Sequence, residues 1–375
     1  MTEYNTEKFG KVYLEGEKTV MNELEYARLF VTEGEPVNAE PFGNGHINRT
    51  WLVKTDRGHR YVLQKINGNV FKNTEGLMNN IAAVTDWLRN KDPDPRHVLT
   101  LVPAKTGRLW TEDENGNCLR LTEYIPDSIC LDMPGTPADF TLIGEALGRF
   151  QLLLSDFPAE RLTETIPHFH DTPDRYRQLQ DAVARNAAGR LDEVRGEVAF
   201  FTARKNDCSR MTDLLAAGKV PLRVTHNDTK TNNIMLDKTT RQPLCVLDLD
   251  TVMPGLSGND FGESIRYGAS TAAEDEKDLN RVSLSLEMFE AFARGFLSAC
   301  GDSLTETEIR TLPLCARLMT MENGMRFLTD HLNGDVYFAV HRSGHNLDRA
   351  RTQIRLLTDM EAKYDAMTDI INRLK

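Results

Sequence analysis

In the first third of the chain, apolar and polar residues alternate in short runs separated by turn-forming residues. Residues 49–55 and 60–66 show this period of two on either side of a short turn, which is typical of a β-hairpin. A second pair of runs, 109–111 and 118–124, flanks an Asn-Gly turn. Together with the apolar run 98–103, the pattern predicts a small antiparallel sheet.

Apolar residues recur every three to four positions in one segment of this region and in most of the remaining chain. Leu77, Ile81, Val84 and Leu88 show the spacing within residues 74–88, which predicts a helix packed on the sheet. Further helices are expected from the same spacing, and from a Thr-Pro start signal in one case, over 22–30, 136–154, 173–186, 190–217, 280–300, 306–332 and 345–374.

Strands with one helix, followed by a mainly helical remainder, predict an α+β protein with two lobes. We expect a small antiparallel β lobe over residues 1–122, a hinge over 123–127 and a larger, mainly helical lobe over 128–375. The sequence has no internal repeat and no long Gly/Ser linker, so both lobes are expected to share one site.

Composition and net charge disfavour several classes of function. The net charge of −11 disfavours nonspecific nucleic-acid binding, because phosphates would be repelled. The six cysteines show no C-x-x-C spacing, as is typical of reduced thiols. The N-terminus lacks an apolar signal segment, and no apolar run approaches the ~18 residues of a membrane span. The sequence therefore predicts a cytoplasmic protein without a nucleic-acid, membrane or obligate protein partner.

The most informative stretch lies in the large lobe, where His226, Asp228 and Asn233 follow the pattern H-x-D-x-x-x-x-N and an apolar run then ends at Asp248. Phosphoryl transfer to a hydroxyl needs a carboxylate that accepts the proton, and an amide oxygen plus a second carboxylate that hold Mg²⁺ on the triphosphate. The pattern predicts a kinase that uses ATP and Mg²⁺, with Asp228 as the base, Asn233 and Asp248 as metal ligands, and His226 in a structural role. Alternatively, Asp and Asn stand here because they suit turns and strand ends.

A glycine-containing loop in the small lobe is the candidate phosphate-covering segment. Gly43, Asn44 and Gly45 stand between two predicted strands, where glycine lets backbone N–H groups approach phosphate oxygens. His46 and Asn48 follow and are expected either to face the acceptor or to brace the turn. The loop lacks the third glycine of the kinase pattern, so a plain β-turn is the alternative.

Two further small-lobe positions are candidates for nucleotide binding. Kinases offer a strand lysine to the phosphates, and here the strand ends in Gln64 and Lys65, which alternation places on opposite faces. Lys65 has the ammonium group of the kinase lysine, although alternation alone does not show which of the two side chains faces the phosphates. Glu123 and Ile125 in the hinge are expected to hold the adenine.

The wording of the central stretch resembles a known family. The segments HNDTKTNNIMLD, VLDLDTVMPG and DFGESIRYG resemble the aminoglycoside phosphotransferase and choline kinase superfamily, and within it the N-acetylhexosamine 1-kinases. The likeness extends to GNGHIN at 43–48 and to residues 325–338. It implies a protein-kinase-like two-lobe fold and an activity that converts an N-acetylhexosamine (GlcNAc or GalNAc) into its 1-phosphate.

The resemblance also implies residue roles. Lys230 would stabilise charge on the transferring phosphate, or else be a solvated loop residue. Tyr267, Arg326 and Tyr337 would bind the sugar, since arginine donates a planar fork and a tyrosine ring stacks on a sugar face. A surface salt bridge and a core aromatic are the alternative. Other acceptors (an aminoglycoside, choline, homoserine or another sugar) stay open, as does an inactive nucleotide-binding module.

Overall fold

The computed structural model describes residues 21–43 and 47–375. The predicted site residues Asn44, Gly45 and His46 lie outside the described residues. The chain forms two compact units, one made of the described residues up to Asn67 with Val102–Leu121, the other of Gly68–Leu101 with Thr122–Lys375. The lobe boundaries expected from the sequence stay a prediction, although the helix expected over 74–88 groups with the second unit.

The strands run, in chain order, β1 (Pro36–Pro41), β2 (Arg49–Thr55), β3 (Arg60–Lys65), β4 (Leu101–Val102), β5 (Thr111–Glu112), β6 (Cys118–Glu123), β7 (Ser128–Cys130), β8 (Arg223–Thr225), β9 (Ile234–Asp237), β10 (Pro243–Val246) and β11 (Met253–Gly255). The α-helices are α1 (Glu23–Ala27), α2 (Thr74–Lys91), α3 (Pro137–Leu153), α4 (Thr172–Arg185), α5 (Arg195–Ala203), α6 (Arg210–Ala216), α7 (Ser257–Gly268), α8 (Leu286–Cys300), α9 (Glu306–Asn333), α10 (His345–Ala362) and α11 (Tyr364–Leu374). None of these described helices has the length and apolar character that a membrane crossing requires.

The first unit is built on an antiparallel sheet with strand order β1-β2-β3-β6-β4, on which β5 pairs with β6. The β2–β3 register sets Trp51 opposite Leu63. Because side chains alternate along a strand, these residues share one face with Val53 and pack there on Tyr26 and Phe30. The hairpin predicted from the sequence is confirmed.

The second unit holds two short sheets, β10-β9-β7 and β11-β8, among long helices. One apolar core is formed mainly by residues of α4, α5, α9 and α10, while α3 packs along α8. The start of α3 follows the prediction, since the Thr136 hydroxyl accepts the Asp139 N–H at 3.1 Å and Pro137 occupies the first turn. The predicted α+β architecture with a larger helical part is confirmed.

Three predicted helix boundaries are wrong. The helix expected over 190–217 is two helices, α5 and α6, because 3-10 turns interrupt the periodic pattern. The helix expected over 280–300 begins six residues later, where the Ser285 hydroxyl caps α8 by accepting the Met288 N–H at 3.2 Å. The helix expected over 345–374 breaks at Lys363, between α10 and α11, where the Lys363 ammonium donates to the Leu284 carbonyl at 2.7 Å.

The close packing of α3 on α8 gives a stability prediction. A Cβ added at Gly295 would overlap the carbonyl oxygen of Thr141, whereas one added at Gly196 in α5 meets nothing within 4 Å. We expect Gly295→Ala to lower the free energy of unfolding by about 1–3 kcal/mol, the usual cost of overpacking. Gly196→Ala is the matched control and should leave it unchanged or raise it. Urea unfolding measures both, and equal midpoints for the two variants would contradict this account of the interface.

Candidate active site

The β9–β10 hairpin brings the two predicted metal ligands to one place. Its register sets Ile234 opposite Val246, and the Leu247 N–H donates to the Asn233 carbonyl at 2.7 Å. Asn233 therefore directly precedes β9 at the same end of the hairpin at which Asp248 follows β10. Asp248 adopts a left-handed backbone with φ of 54°, a conformation that Asp tolerates better than most residues and that marks functional positions.

His226 joins the loop after β8 to this hairpin. Its Nδ1 accepts the Asp228 N–H at 3.2 Å, so the ring proton must sit on Nε2, which donates to the Leu247 carbonyl at 2.7 Å. The side chain is fully buried. His226 thus ties the peptide N–H of Asp228 to the residue that precedes Asp248, which agrees with a structural role.

The buried carboxylate of Asp260, in α7, accepts hydrogen bonds from the same loop. Asp260 accepts the Asn227 N–H at 2.7 Å, the His226 N–H at 3.0 Å and the Gln151 side-chain amide at 2.8 Å. Burial raises the pKa of Asp260 above its ordinary value, although these donors act in the opposite direction. The Asp260 carbonyl in turn accepts the Thr229 hydroxyl at 2.7 Å. The loop conformation is therefore fixed by hydrogen bonds on both sides of Asp228.

Asp228 itself faces Lys230, whose Nζ lies 3.1 Å from Asp228 Oδ1. Burial alone would raise the pKa of Asp228, but the positive charge of Lys230 holds it below its ordinary value. Asp228 in turn raises the pKa of Lys230. At neutral pH the site therefore holds a carboxylate and an ammonium side by side, and the Asp228 side chain is 23% exposed and open to a small molecule.

The donor set fits a hard divalent cation. The Asn233 side-chain N–H donates to the Asp228 carbonyl at 2.8 Å, which turns the amide oxygen of Asn233 away from that carbonyl. This oxygen and the exposed Asp248 carboxylate are ligand types that Mg²⁺ accepts together with substrate phosphates. Within residues 21–43 and 47–375, no three His, Cys, Asp or Glu side chains form a metal cluster by themselves.

Arg266 of α7 pairs with two carboxylates near this loop. Its guanidinium donates to both oxygens of Glu263, at 2.8 and 2.6 Å, and to Glu274 at 2.6 Å. Tyr267 follows on the same helix, and burial, with a smaller effect of Glu274, raises its pKa. The charge of Lys230 acts on the pKa of Tyr267 in the opposite direction.

Arg326 and Tyr337 meet around a common aromatic residue. The Arg326 guanidinium lies 5.4 Å from the ring centres of both Phe169 and Phe338, and it donates to Asn323 at 3.3 Å. The Tyr337 ring is 62% exposed and stands edge-on to Phe338 at 4.8 Å. The structure therefore brings these two predicted acceptor residues together.

One residue that the sequence analysis did not single out connects this cluster to the catalytic loop. His170, next to Phe169, places Nε2 2.9 Å from the Asn227 carbonyl oxygen and Nδ1 2.8 Å from Glu322. The partners are 57 and 152 positions away along the chain. No local pattern could identify His170, because only the packing of α4 and α9 creates its surroundings.

In the first unit, Lys65 and Gln64 point to opposite faces, as alternation requires. The Lys65 ammonium forms an ion pair with the buried Asp113 and lies 5.6 Å from the Tyr26 ring centre. Burial opposes ionisation of Asp113, but Lys65 and neighbouring donors lower its pKa to about 2. Gln64 accepts the Nε–H of Arg120 at 2.9 Å. Arg120, a buried cation on the Gln64 face, is a second residue that the sequence analysis missed.

The remaining predicted nucleotide-site residues have defined positions. Gly43 has φ of 76°, which favours glycine in the β1–β2 loop. The Asn48 side chain accepts the Asn67 N–H at 3.0 Å. The Glu123 N–H donates to the Thr100 carbonyl at 2.9 Å, and the Ile125 carbonyl accepts the Ser128 hydroxyl at 2.7 Å. Their contacts with a nucleotide or an acceptor stay predictions.

Comparison with solved structures shows the fold. An aminopropanol kinase associated with a microcompartment is 16% identical, with 92% of this chain and 97% of that chain covered and a TM-score of 0.60. An amicoumacin kinase in complex with AMP-PNP, Ca²⁺ and Ami is 15% identical, with coverages of 91% and 92% and a TM-score of 0.59. A Plasmodium vivax ethanolamine kinase is 15% identical, with coverages of 88% and 85% and a TM-score of 0.54.

The profile of the phosphotransferase enzyme family, APH, matches residues 38–292, a range that contains Asp228, Asn233 and Asp248. The match covers more than half of the chain, and the two units show the protein-kinase-like architecture of that family. The chain therefore belongs to the phosphotransferase enzyme family and is a small-molecule phosphotransferase.

Proposed function

We propose that this chain is a kinase that uses ATP and Mg²⁺ to phosphorylate the anomeric hydroxyl of an N-acetylhexosamine. The observation that carries the choice of acceptor is that three carboxylates near the catalytic loop already have cationic partners. Glu263 and Glu274 are both bound by Arg266, and Glu322 is bound by His170. A cationic acceptor would have to displace these partners, whereas a neutral, hydroxyl-rich acceptor does not.

Each group at the loop has a role in this reaction. Asp228, ionised at neutral pH, accepts the proton of the acceptor hydroxyl and orients its oxygen. Lys230 stabilises the negative charge that develops on the transferring phosphate. Asn233 and Asp248 would hold Mg²⁺, which neutralises charge on the triphosphate when bound.

The acceptor is proposed to lie against Arg326, with Tyr267, Tyr337, His46 and Asn48 as further contacts. Arg326 lies 5.4 Å from the centres of two aromatic rings and is proposed to use part of its planar fork for hydroxyl or acetamido oxygens. Tyr337 offers an exposed ring that suits a sugar face.

The nucleotide is proposed to bind with its phosphates at the loop of Gly43, Asn44 and Gly45 and its adenine at Glu123 and Ile125. Lys65 is the predicted phosphate cation, and the buried Arg120 is a second candidate for that role.

The rival function is phosphorylation of an amino alcohol, because the structural neighbours include an aminopropanol kinase and an ethanolamine kinase. A panel of GlcNAc, GalNAc, choline, ethanolamine and aminopropanol, assayed by ADP release, separates the two. We expect turnover of the neutral sugars, with Asp228→Asn as the background control. Preferential turnover of an amino alcohol would overturn the sugar assignment, and ATP binding without turnover of any acceptor would favour an inactive module.

Replacing Arg326 tests the acceptor site. Hydrogen bonds to charged groups contribute about 1.5–3 kcal/mol, so Arg326→Ala should lower kcat/KM for the sugar by about 10- to 100-fold. The KM for ATP should stay within about twofold, since the predicted nucleotide contacts lie elsewhere. Arg195→Ala, which removes an exposed guanidinium paired with Asp192, is the matched control and should behave as wild type. An unchanged acceptor KM in Arg326→Ala would remove Arg326 from the acceptor site.

A further inference from the structure

His170 lies buried between two hydrogen-bond acceptors. Its Nδ1 is 2.8 Å from Glu322 Oε1, and its Nε2 is 2.9 Å from the carbonyl oxygen of Asn227. The side chain of His170 is 5% exposed, and that of Glu322 is fully buried. The other oxygen of Glu322 accepts the Thr172 hydroxyl at 3.0 Å.

These hydrogen-bond partners determine how many protons His170 and Glu322 carry together. A carbonyl oxygen cannot donate, so Nε2 of His170 must carry a proton toward Asn227. A second proton must lie between Nδ1 and Oε1 of Glu322, either on the imidazole or on the carboxyl. The guanidinium groups of Arg175 and Arg326 help to lower the pKa of Glu322 against the effect of burial, which favours the carboxylate. The pair is therefore an imidazolium beside a carboxylate.

The bond to Asn227 acts on the peptide that leads into Asp228. That peptide is held at both ends by a histidine, since its carbonyl oxygen accepts from His170 and its N–H donates to His226. Asn227 also has a left-handed backbone with φ of 67°, which needs support from its surroundings. Without the bond from His170, one end of this peptide would no longer be held. The Asp228 carboxylate would then no longer be fixed in one direction.

We propose that His170 is a positioning residue, held as an imidazolium between Glu322 and the Asn227 carbonyl, and that turnover requires this protonated form. The proposal rests on Asp228 as the base of the proposed reaction but not on which acceptor is used. His170 acts through the loop and need not touch either substrate.

The pH dependence follows from the charges that face His170. Glu322 of α9 and Glu263 of α7 act on His170 itself, and Arg175 of α4 and Arg326 of α9 act on Glu322. Burial lowers the pKa of His170, but the carboxylates, Glu322 above all, raise it above its ordinary value overall. Because the folded pKa is raised, the imidazolium persists from acidic pH upward and is lost as pH rises through that pKa. The neutral ring keeps one N–H, which the charged carboxylate of Glu322, the stronger acceptor, holds on Nδ1, so the bond to the Asn227 carbonyl is lost. Turnover should fall along the same alkaline limb.

Two measurements test the proposal. The first is ¹⁵N–¹H NMR of the full chain labelled at its nine histidines, with the His170 signals assigned by their loss in His170→Gln. We expect both ring nitrogens of His170 to show the imidazolium pattern at neutral pH in the wild-type protein. One unprotonated ring nitrogen at that pH would overturn the proposal, whatever the acceptor is.

The second measurement is the pH profile of kcat/KM in Glu322→Gln. The amide can still accept from His170 but removes the counter-charge, so the alkaline limb should move to lower pH by about 1–3 units. His168→Gln, two residues away and exposed, is the matched control and should keep the wild-type profile. An alkaline limb that stays in place in Glu322→Gln would overturn the link between His170 and turnover. Activity retained in Asp228→Asn, by contrast, would reject the proposed base without altering the NMR result.

Discussion

Asp228→Asn should lose turnover by about 10²–10⁴-fold while keeping its affinity for Mg-ATP, the range expected when a positioned base is removed. The amide has nearly the shape of the carboxylate but cannot accept the hydroxyl proton. The loop should stay folded, because its conformation is fixed by His226 and Asp260 through backbone groups that the change leaves intact. Steady-state kinetics with titration of an ATP analogue measures both quantities.

The control for that variant is Asp192→Asn, which changes a carboxylate that is 87% exposed and paired with Arg195. It should retain wild-type kcat. The wild-type enzyme should also keep its activity down to acidic pH, because the charge of Lys230 holds the pKa of Asp228 below its ordinary value despite burial. A kcat near wild type in Asp228→Asn would show that another residue takes the proton.

Asp248→Ala should abolish activity, and Asn233→Ala should shift the Mg²⁺ dependence of the rate to higher concentration. Both residues supply oxygen ligands of the kind that Mg²⁺ prefers, and the hairpin sets them at one end. A carboxylate contributes charge as well as a ligand atom, whereas the amide contributes only the ligand. Loss of Asp248 should therefore resist rescue by added metal, and loss of Asn233 should be rescued in part.

Asp278→Ala is a suitable comparison, since its carboxylate caps an exposed 3-10 turn away from the hairpin. Rates measured over a wide range of Mg²⁺ concentrations distinguish the three variants. An unaltered metal response in both Asp248→Ala and Asn233→Ala would remove these residues from the metal site.

The sequence was most informative where the chemistry is local. His226, Asp228, Asn233 and Asp248 lie within 23 consecutive residues, which predict a loop followed by an apolar run that ends at Asp248. In the structure β9 and β10 form a hairpin in this stretch, with Asn233 and Asp248 at one end. The alternation of Gln64 and Lys65 was likewise evident, but only the packing on Tyr26 shows which face each side chain occupies.

Contacts between residues that are distant in the sequence could not be predicted from the sequence. His170 contacts Asn227 and Glu322, which are far from it in the sequence. Arg120 is buried within β6, which the sequence predicts only as a strand. Some helix ends were predicted wrongly for a related reason. Periodicity continues through Lys363, but a tertiary bond to the Leu284 carbonyl accompanies the end of α10 there. Tertiary contacts override local preference at such points.

The central claim, transfer to an anomeric hydroxyl, is tested most directly by ³¹P NMR of the product. The enzyme would be incubated with Mg-ATP and either a free N-acetylhexosamine or its 1-O-methyl glycoside. We predict an acid-labile, non-reducing sugar 1-phosphate from the free sugar and no product from the glycoside, whose anomeric oxygen has no proton for Asp228 to accept. Phosphate on the 6-hydroxyl, or equal turnover of the glycoside, would contradict the claim.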